Sequence, residues 1–264
     1  MKKRIENFMG ILIIFIVLTA SAYYNRLLNY TCTSKKSNFG VEQKENVSDY
    51  KIDKSNENHE NQSDVHFLNE GEFTIVIDPG HGGLDPGKIG INDELEKNIN
   101  LEIALKLKEK LEDMNVNVVL TRDDDTQLSS DNDKGWKKTD MRNRVKIIND
   151  SKADLCISIH QNSYSSQNVK GAQVFYYSGS ENGKKLAEII QESLKNSLDD
   201  GNKRMEKSND SYYVLLKSEC PTVIVECGFL SNWEEATNLK DDYYQDKIAD
   251  AIINGIVRYI NSEE

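Results

Sequence analysis

The stretch that most constrains this chain is Thr74-Ile-Val-Ile-Asp78-Pro-Gly-His81-Gly-Gly83. Four β-branched residues followed by Asp-Pro-Gly read as a buried strand that breaks sharply. Glycines around His81 let the backbone turn tightly and let a ligand come close. Open α/β sheets bind ligands at the carboxyl ends of their strands. His81 is therefore either a site residue or a turn residue that happens to be histidine.

The rest of the chain supplies the partners such a strand needs. Leu95, Ile99, Ile103, Leu107 and Leu111 recur at fourfold spacing, with Ala104 and Leu105 widening the stripe, and predict a helix over 95–114. Asn92, Asp93 and Glu94 give it the acidic start that suits a helix N-terminus, and Glu96 falls in its first turn. A short strand is expected over 117–121, ending at Arg122, followed by an exposed acidic loop over 123–139 and a helix over 141–149. Leu155-Cys-Ile-Ser-Ile159 reads as a third buried strand, stopped by His160. Residues 171–177 form a fourth strand, 182–198 a helix, 201–211 a polar loop and 212–216 a short apolar element. A fifth strand over 221–225 ends in Glu226. Ser231-Asn-Trp-Glu234 has the form of a capping box, and 243–260 closes the chain as an amphipathic helix. Alternating strands and helices imply an α/β fold in a single domain, with a twisted, mostly parallel sheet of about five to six strands and helices on both faces.

Three strand ends thus carry His81, His160 and Glu226 toward one rim, and two of the chain's four histidines occupy such a position. A glutamate directly after Val-Ile-Val is costly to bury unless its charge is used. A structural role for Glu226 would pair it with Arg122 or Arg144. Two imidazoles and a carboxylate with an open fourth position make a catalytic zinc arrangement. A second carboxylate can then move a proton between water and the leaving group. Glu96 and Glu226 divide these two tasks, and spacing alone does not say which takes which.

The segments Ile-Asp-Pro-Gly-His-Gly-Gly, Leu-Glu-Lys-Asn-Ile-Asn-Leu, Ser-Ile-His-Gln-Asn and Val-Glu-Cys-Gly-Phe-Leu-Ser-Asn resemble those of zinc-dependent N-acetylmuramoyl-L-alanine amidases, in order over 72–264. The resemblance implies that His81, Glu96 and His160 bind Zn²⁺ and that Glu226 acts in catalysis. It further implies a supporting role for Arg144, and hydrolysis of the amide between N-acetylmuramic acid and L-alanine in peptidoglycan. Thr121, Arg122 and Asn149 also match family positions, whereas Gln161 and Trp233 depart from them.

The chain is most similar to the sporulation and germination branch of that family. This implies action on spore-cortex peptidoglycan, as a step toward muramic δ-lactam and ahead of a muramic acid deacetylase, with an exported regulatory protein as a further partner. Two other classes compete: a non-catalytic wall-binding or regulatory module, marked by loss of one of the four residues, and a carboxypeptidase-like zinc peptidase, marked by products that keep muramyl-linked alanine. All four residues are present and His-Glu-x-x-His is absent.

Residues 1–24 place Lys2, Lys3 and Arg4 before a short apolar run, which reads as a signal peptide or membrane anchor and as export from the cytoplasm. In the resembling branch the site of action is the forespore intermembrane space and cortex. Residues 25–71 are rich in Asn, Ser, Lys, Glu and Asp, hold His59 and His66, and read as a flexible linker. The catalytic domain spans 72–264. A net charge of −11 offers no basic stripe to nucleic acid. Cys156, Cys220 and Cys227 have no Cys-x-x-Cys spacing and read as small buried thiols.

Overall fold

A computed structural model describes residues 73–130, 134–198 and 201–262. The signal or anchor at 1–24 and the linker at 25–71 lie outside the described residues. Six strands, β1 (Thr74–Pro79), β2 (Asn117–Leu120), β3 (Leu155–Asn162), β4 (Gln173–Tyr176), β5 (Lys207–Ser208) and β6 (Thr222–Phe229), form one sheet in the order β2-β1-β3-β6-β4-β5. β2, β1, β3 and β6 are parallel neighbours, whereas β4 runs antiparallel to β6. The helices are α1 (Glu96–Asp113), α2 (Trp136–Asp150), α3 (Glu181–Leu198), α4 (Tyr213–Lys217), α5 (Trp233–Asn238) and α6 (Asp242–Ile260).

The strand period of two sorts side chains onto two faces. Ile75, Ile77, Leu155, Ile157, Ile159, Val223 and Val225 point to the larger core, where α1, α3 and α6 pack through Ile103, Leu107, Ile190, Leu194, Ile252 and Ile256. Val76 and Cys156 point the other way and meet Val145 and Ile148 of α2 and Val214 of α4. Asp78, Ser158, His160, Ile224 and Glu226 share the parity of this second face. Among the described residues it is covered by one helix and one five-residue helix, which leave its carboxyl-end rim open.

Several elements differ from the sequence expectation. β3 runs through His160 to Asn162 and β6 through Glu226 to Phe229, because these residues pair with each other. A register irregularity lies between His160 and Asn162. Helix α2 begins at Trp136, inside the expected loop, and the polar loop at 201–211 contains β5. Leu105 is 40% exposed and lies outside the packed stripe, two residues round the helix from Ile103. Asn232, rather than Ser231, caps α5, its side chain accepting from Glu235 N. Cys156, Cys220 and Cys227 are free thiols; Cys156 and Cys227 are buried as expected, whereas Cys220 is only half-buried. Among the described residues, no helix is long and apolar enough to cross a membrane.

Candidate metal centre

His81 sits just beyond β1 in the left-handed backbone region, at φ 64°, followed by Gly82 and Gly83 at φ 129° and 54°. A non-glycine residue rarely holds that conformation unless its surroundings enforce it. Two buried arginines do so by donating to the carbonyls of the turn. Arg122 donates to Pro79 O at 3.0 Å and Gly80 O at 3.0 Å. Arg144 donates to Pro79 O at 2.7 Å and to His81 O. Burial, then the charge of Arg144, pulls the Arg122 guanidinium down to about 10.

Beneath the turn, Asp78 is fully buried and its carboxylate is saturated. It accepts from Arg144 Nη1 at 2.8 Å, Thr121 Oγ1 at 2.6 Å and Ser158 Oγ at 2.7 Å. Burial alone would raise its pKa, but Arg144 and the two hydroxyls outweigh that and hold it at about 2. Arg144 also bonds Asp140 at 2.9 Å. It therefore both pairs with carboxylates and supports the turn. Sequence reading missed Asp78 and Asp140. An acidic residue at the end of an apolar strand, facing an arginine on a later helix, was the available signal.

Glu96 enters from the first turn of α1 and divides its carboxylate between the two imidazoles. Oε1 lies 2.9 Å from His160 Nδ1 and Oε2 lies 3.2 Å from His81 Nε2. The backbone amides of Gln161 and Lys88 donate to the same oxygens at 3.1 and 2.8 Å. Burial works against ionisation here, but the hydrogen bonds from His160 and His81 outweigh it and pull the carboxyl far below the ordinary range. The two rings stand edge to face, with centroids 5.0 Å apart. The sheet and α1 thus bring together residues 81, 96 and 160, with one donor atom of each within 4.8 Å of the others.

These residues fit a zinc ion. Tetrahedral zinc with ligand bonds of about 2.1 Å spaces its donors about 3.4 Å apart, close to the 3.2 and 2.9 Å separations across Glu96. Two glycines keep the space clear. A Cβ on Gly80 would come within 2.3 Å of His160 Nε2, and one on Gly87 within 2.6 Å of Glu96 Oε2.

Glu226 lies beside this group, its Cα in register with that of His160 across the β3–β6 pair. It makes no ion pair with Arg122 or Arg144, which are spent on the turn and on Asp78. Its Oε2 is buried with no hydrogen-bond partner. Burial raises its pKa to about 7, helped by the Glu96 charge and opposed by His160 and His81. A carboxylate with a free oxygen and a pKa near neutrality is suited to taking up and releasing a proton. The cleft over these residues has a volume of about 560 Å³ and is also lined by Lys88, Lys137, Tyr212 and Tyr213. These four wall residues, brought in by α2, α4 and the loops, carry no signal in the sequence.

A family model described as N-acetylmuramoyl-L-alanine amidase matches residues 75–258. The chain is 40% identical over 192 residues to the germination-specific N-acetylmuramoyl-L-alanine amidase of Bacillus subtilis, covering 72% of this chain and 80% of that protein. Among solved structures it is similar to the CwlD amidase of Clostridioides difficile in complex with the GerS lipoprotein. That match has 41% identity and a TM-score of 0.70, over 72% of this chain and 99% of that one. A second amidase structure, from Clostridium difficile 630, matches at 31% identity and TM-score 0.66, over 74% of this chain and all of the other.

Proposed function

Because the chain belongs to the N-acetylmuramoyl-L-alanine amidase family, we propose that it cleaves peptidoglycan with a zinc ion held by His81, Glu96 and His160 and with Glu226 as the proton carrier. The observation that supports this best is the convergence of those three donor residues beside a buried carboxylate whose Oε2 has no partner. Zinc, when bound, supplies Lewis-acid activation of water and of the amide carbonyl. Glu226 accepts one proton from the attacking water and delivers it to the amide nitrogen. The C–O bond forms first, the C–N bond breaks once the nitrogen is protonated, and the second water proton passes to the departing amine, leaving a lactyl carboxylate and an L-alanine ammonium. His81, Glu96 and His160 each hold position through the turn, the helix or the strand that carries them.

The substrate in the cell, on this proposal, is spore-cortex peptidoglycan. Stripped muramic acid would pass to a deacetylase and then to the δ-lactam. The relative named as germination-specific supports the branch. The amidase solved with a lipoprotein supports an exported protein partner for this chain too. Residues 1–24 would export the domain 72–264 and tether it through the linker 25–71, placing it at the forespore intermembrane space and cortex.

The test is digestion of purified cortex and vegetative peptidoglycan by the full chain, read by mass spectrometry. Intact stem peptides with N-terminal alanine are expected, and products that keep muramyl-linked alanine would contradict the reaction. Glu226→Gln should keep zinc and fold while losing ~10²-fold or more of the rate; unchanged turnover removes Glu226 from the mechanism.

A further inference from the structure

We infer that Asp85 is a positioning residue that fixes the ring of His81, and that Lys137 of α2 holds Asp85 in place; the inference rests on His81 being a metal ligand. Asp85 follows His81 by four residues. Gly82 and Asp85 exchange two backbone hydrogen bonds of 3.0 Å, which fold the loop back on itself. The Asp85 carboxylate thereby reaches the imidazole edge that faces away from Glu96. Its Oδ2 lies 2.9 Å from His81 Nδ1, and its Oδ1 accepts from Lys137 Nζ at 2.9 Å.

A carboxylate only accepts, so Asp85 keeps a proton on Nδ1, and Nε2 is the nitrogen left to exchange its proton for the metal. Nε2 is the nitrogen 3.2 Å from Glu96 Oε2, on the side where the donors converge. A carboxylate on the far nitrogen of a liganding histidine fixes both tautomer and ring angle.

The two histidines need this support unequally. His160 is built into β3 and paired across to Glu226, so the sheet fixes its backbone. His81 lies in a left-handed turn outside any strand. Lys137 supplies the next tether. It lies in the first turn of α2, 52 residues from Asp85, with its ammonium 5.3 Å from the Trp136 ring centroid. The same helix sends Arg144 to the His81 carbonyl. Helix α2 therefore grips the turn at its backbone through Arg144 and at its imidazole through Lys137 and Asp85.

The experiment compares zinc affinity in full-length wild type, D85A, D85N, K137A and H81A, by competition with a chromophoric chelator, with thermal unfolding of each metal-free protein alongside. D85A should bind zinc about 10–100-fold more weakly with its metal-free unfolding midpoint unchanged. D85N should recover part of the loss, since its amide oxygen still accepts from Nδ1–H. K137A should lose less than D85A, in the same direction. Nitrogen NMR of the zinc-loaded protein should show the His81 Nδ1–H in a strong hydrogen bond in wild type and that bond lost in D85A. Wild-type zinc affinity in D85A, with affinity lost in H81A, overturns the role of Asp85 and leaves the metal reading standing. Stoichiometric zinc in H81A overturns the metal reading itself. A fall in D85A affinity matched by a fall in metal-free stability, with no recovery in D85N, makes Asp85 a fold residue and overturns the inference.

Discussion

At the scale of single residues, the ion pair of Asp78 with Arg144 matters as much as the metal donors, since it carries the turn on which His81 stands. Its pH dependence has a definite sign. The folded-state pKa of Asp78 is about 2 against an ordinary 3.8, so its contribution is complete above about 3.8 and is lost as pH falls through 2. The full contribution is about 2.5 kcal/mol, of which about 1 kcal/mol has gone by pH 3. D78N leaves Arg144 with Asp140 as its one remaining carboxylate and should cost about 3 kcal/mol at pH 7. The gap between wild type and D78N in urea unfolding should then narrow by about 1 kcal/mol on going from pH 7 to pH 3. A gap that stays constant over that range would mean that folding does not depress the Asp78 pKa. His81, His160 and Glu226 were visible in the sequence because histidine and glutamate at the close of apolar runs are out of place, whereas the role of Glu96 came from the family resemblance. Asp85 and Lys137 were not visible, because their contact spans 52 residues and no local pattern encodes it.

At the scale of elements, the β-branched runs marked where strands lie but not where they end. His160 and Glu226 look like stop signals, yet each continues its strand because the other is its neighbour in register. Local sequence cannot show a polar residue satisfied by a partner on another strand. The start of α2 was hidden for a related reason, since Trp136-Lys-Lys-Thr-Asp140 has no apolar stripe and one buried residue, Asp140. Helix packing makes a sharper case at Gly255, where α6 crosses α3. A Cβ there would meet Ile190 Cγ1 at 2.8 Å and Ile190 Cα at 3.0 Å. Alanine in place of a helical glycine ordinarily gains about 1 kcal/mol. Here it must push against the backbone of α3, and overpacking costs about 1–3 kcal/mol. G255A should therefore be net destabilised, by about 1 kcal/mol in urea unfolding. A G255A variant more stable than wild type would show that α3 can retreat freely.

At the scale of the whole molecule, the candidate ligands join three parts of the chain that the sheet brings together: the turn after β1, the first turn of α1 and the end of β3. The unfolded chain has no such cluster, so on the proposed reading zinc would bind the folded state alone and stabilise it by mass action. At free zinc about 100 times the dissociation constant the gain is about 2.7 kcal/mol. For a domain of this size each kcal/mol moves the midpoint by about 2–4 °C, so zinc should raise it by about 5–10 °C. A chelator should remove that increment and no more. The aliphatic core on either face of the sheet contains none of the three donors, so the metal-free protein should still unfold in one cooperative transition. Calorimetry of the full chain with zinc, with chelator and as H81A separates the contributions. H81A should melt at the same temperature with and without zinc, whereas a zinc shift of wild-type size in H81A would place the ion somewhere other than beside Glu96 and His160.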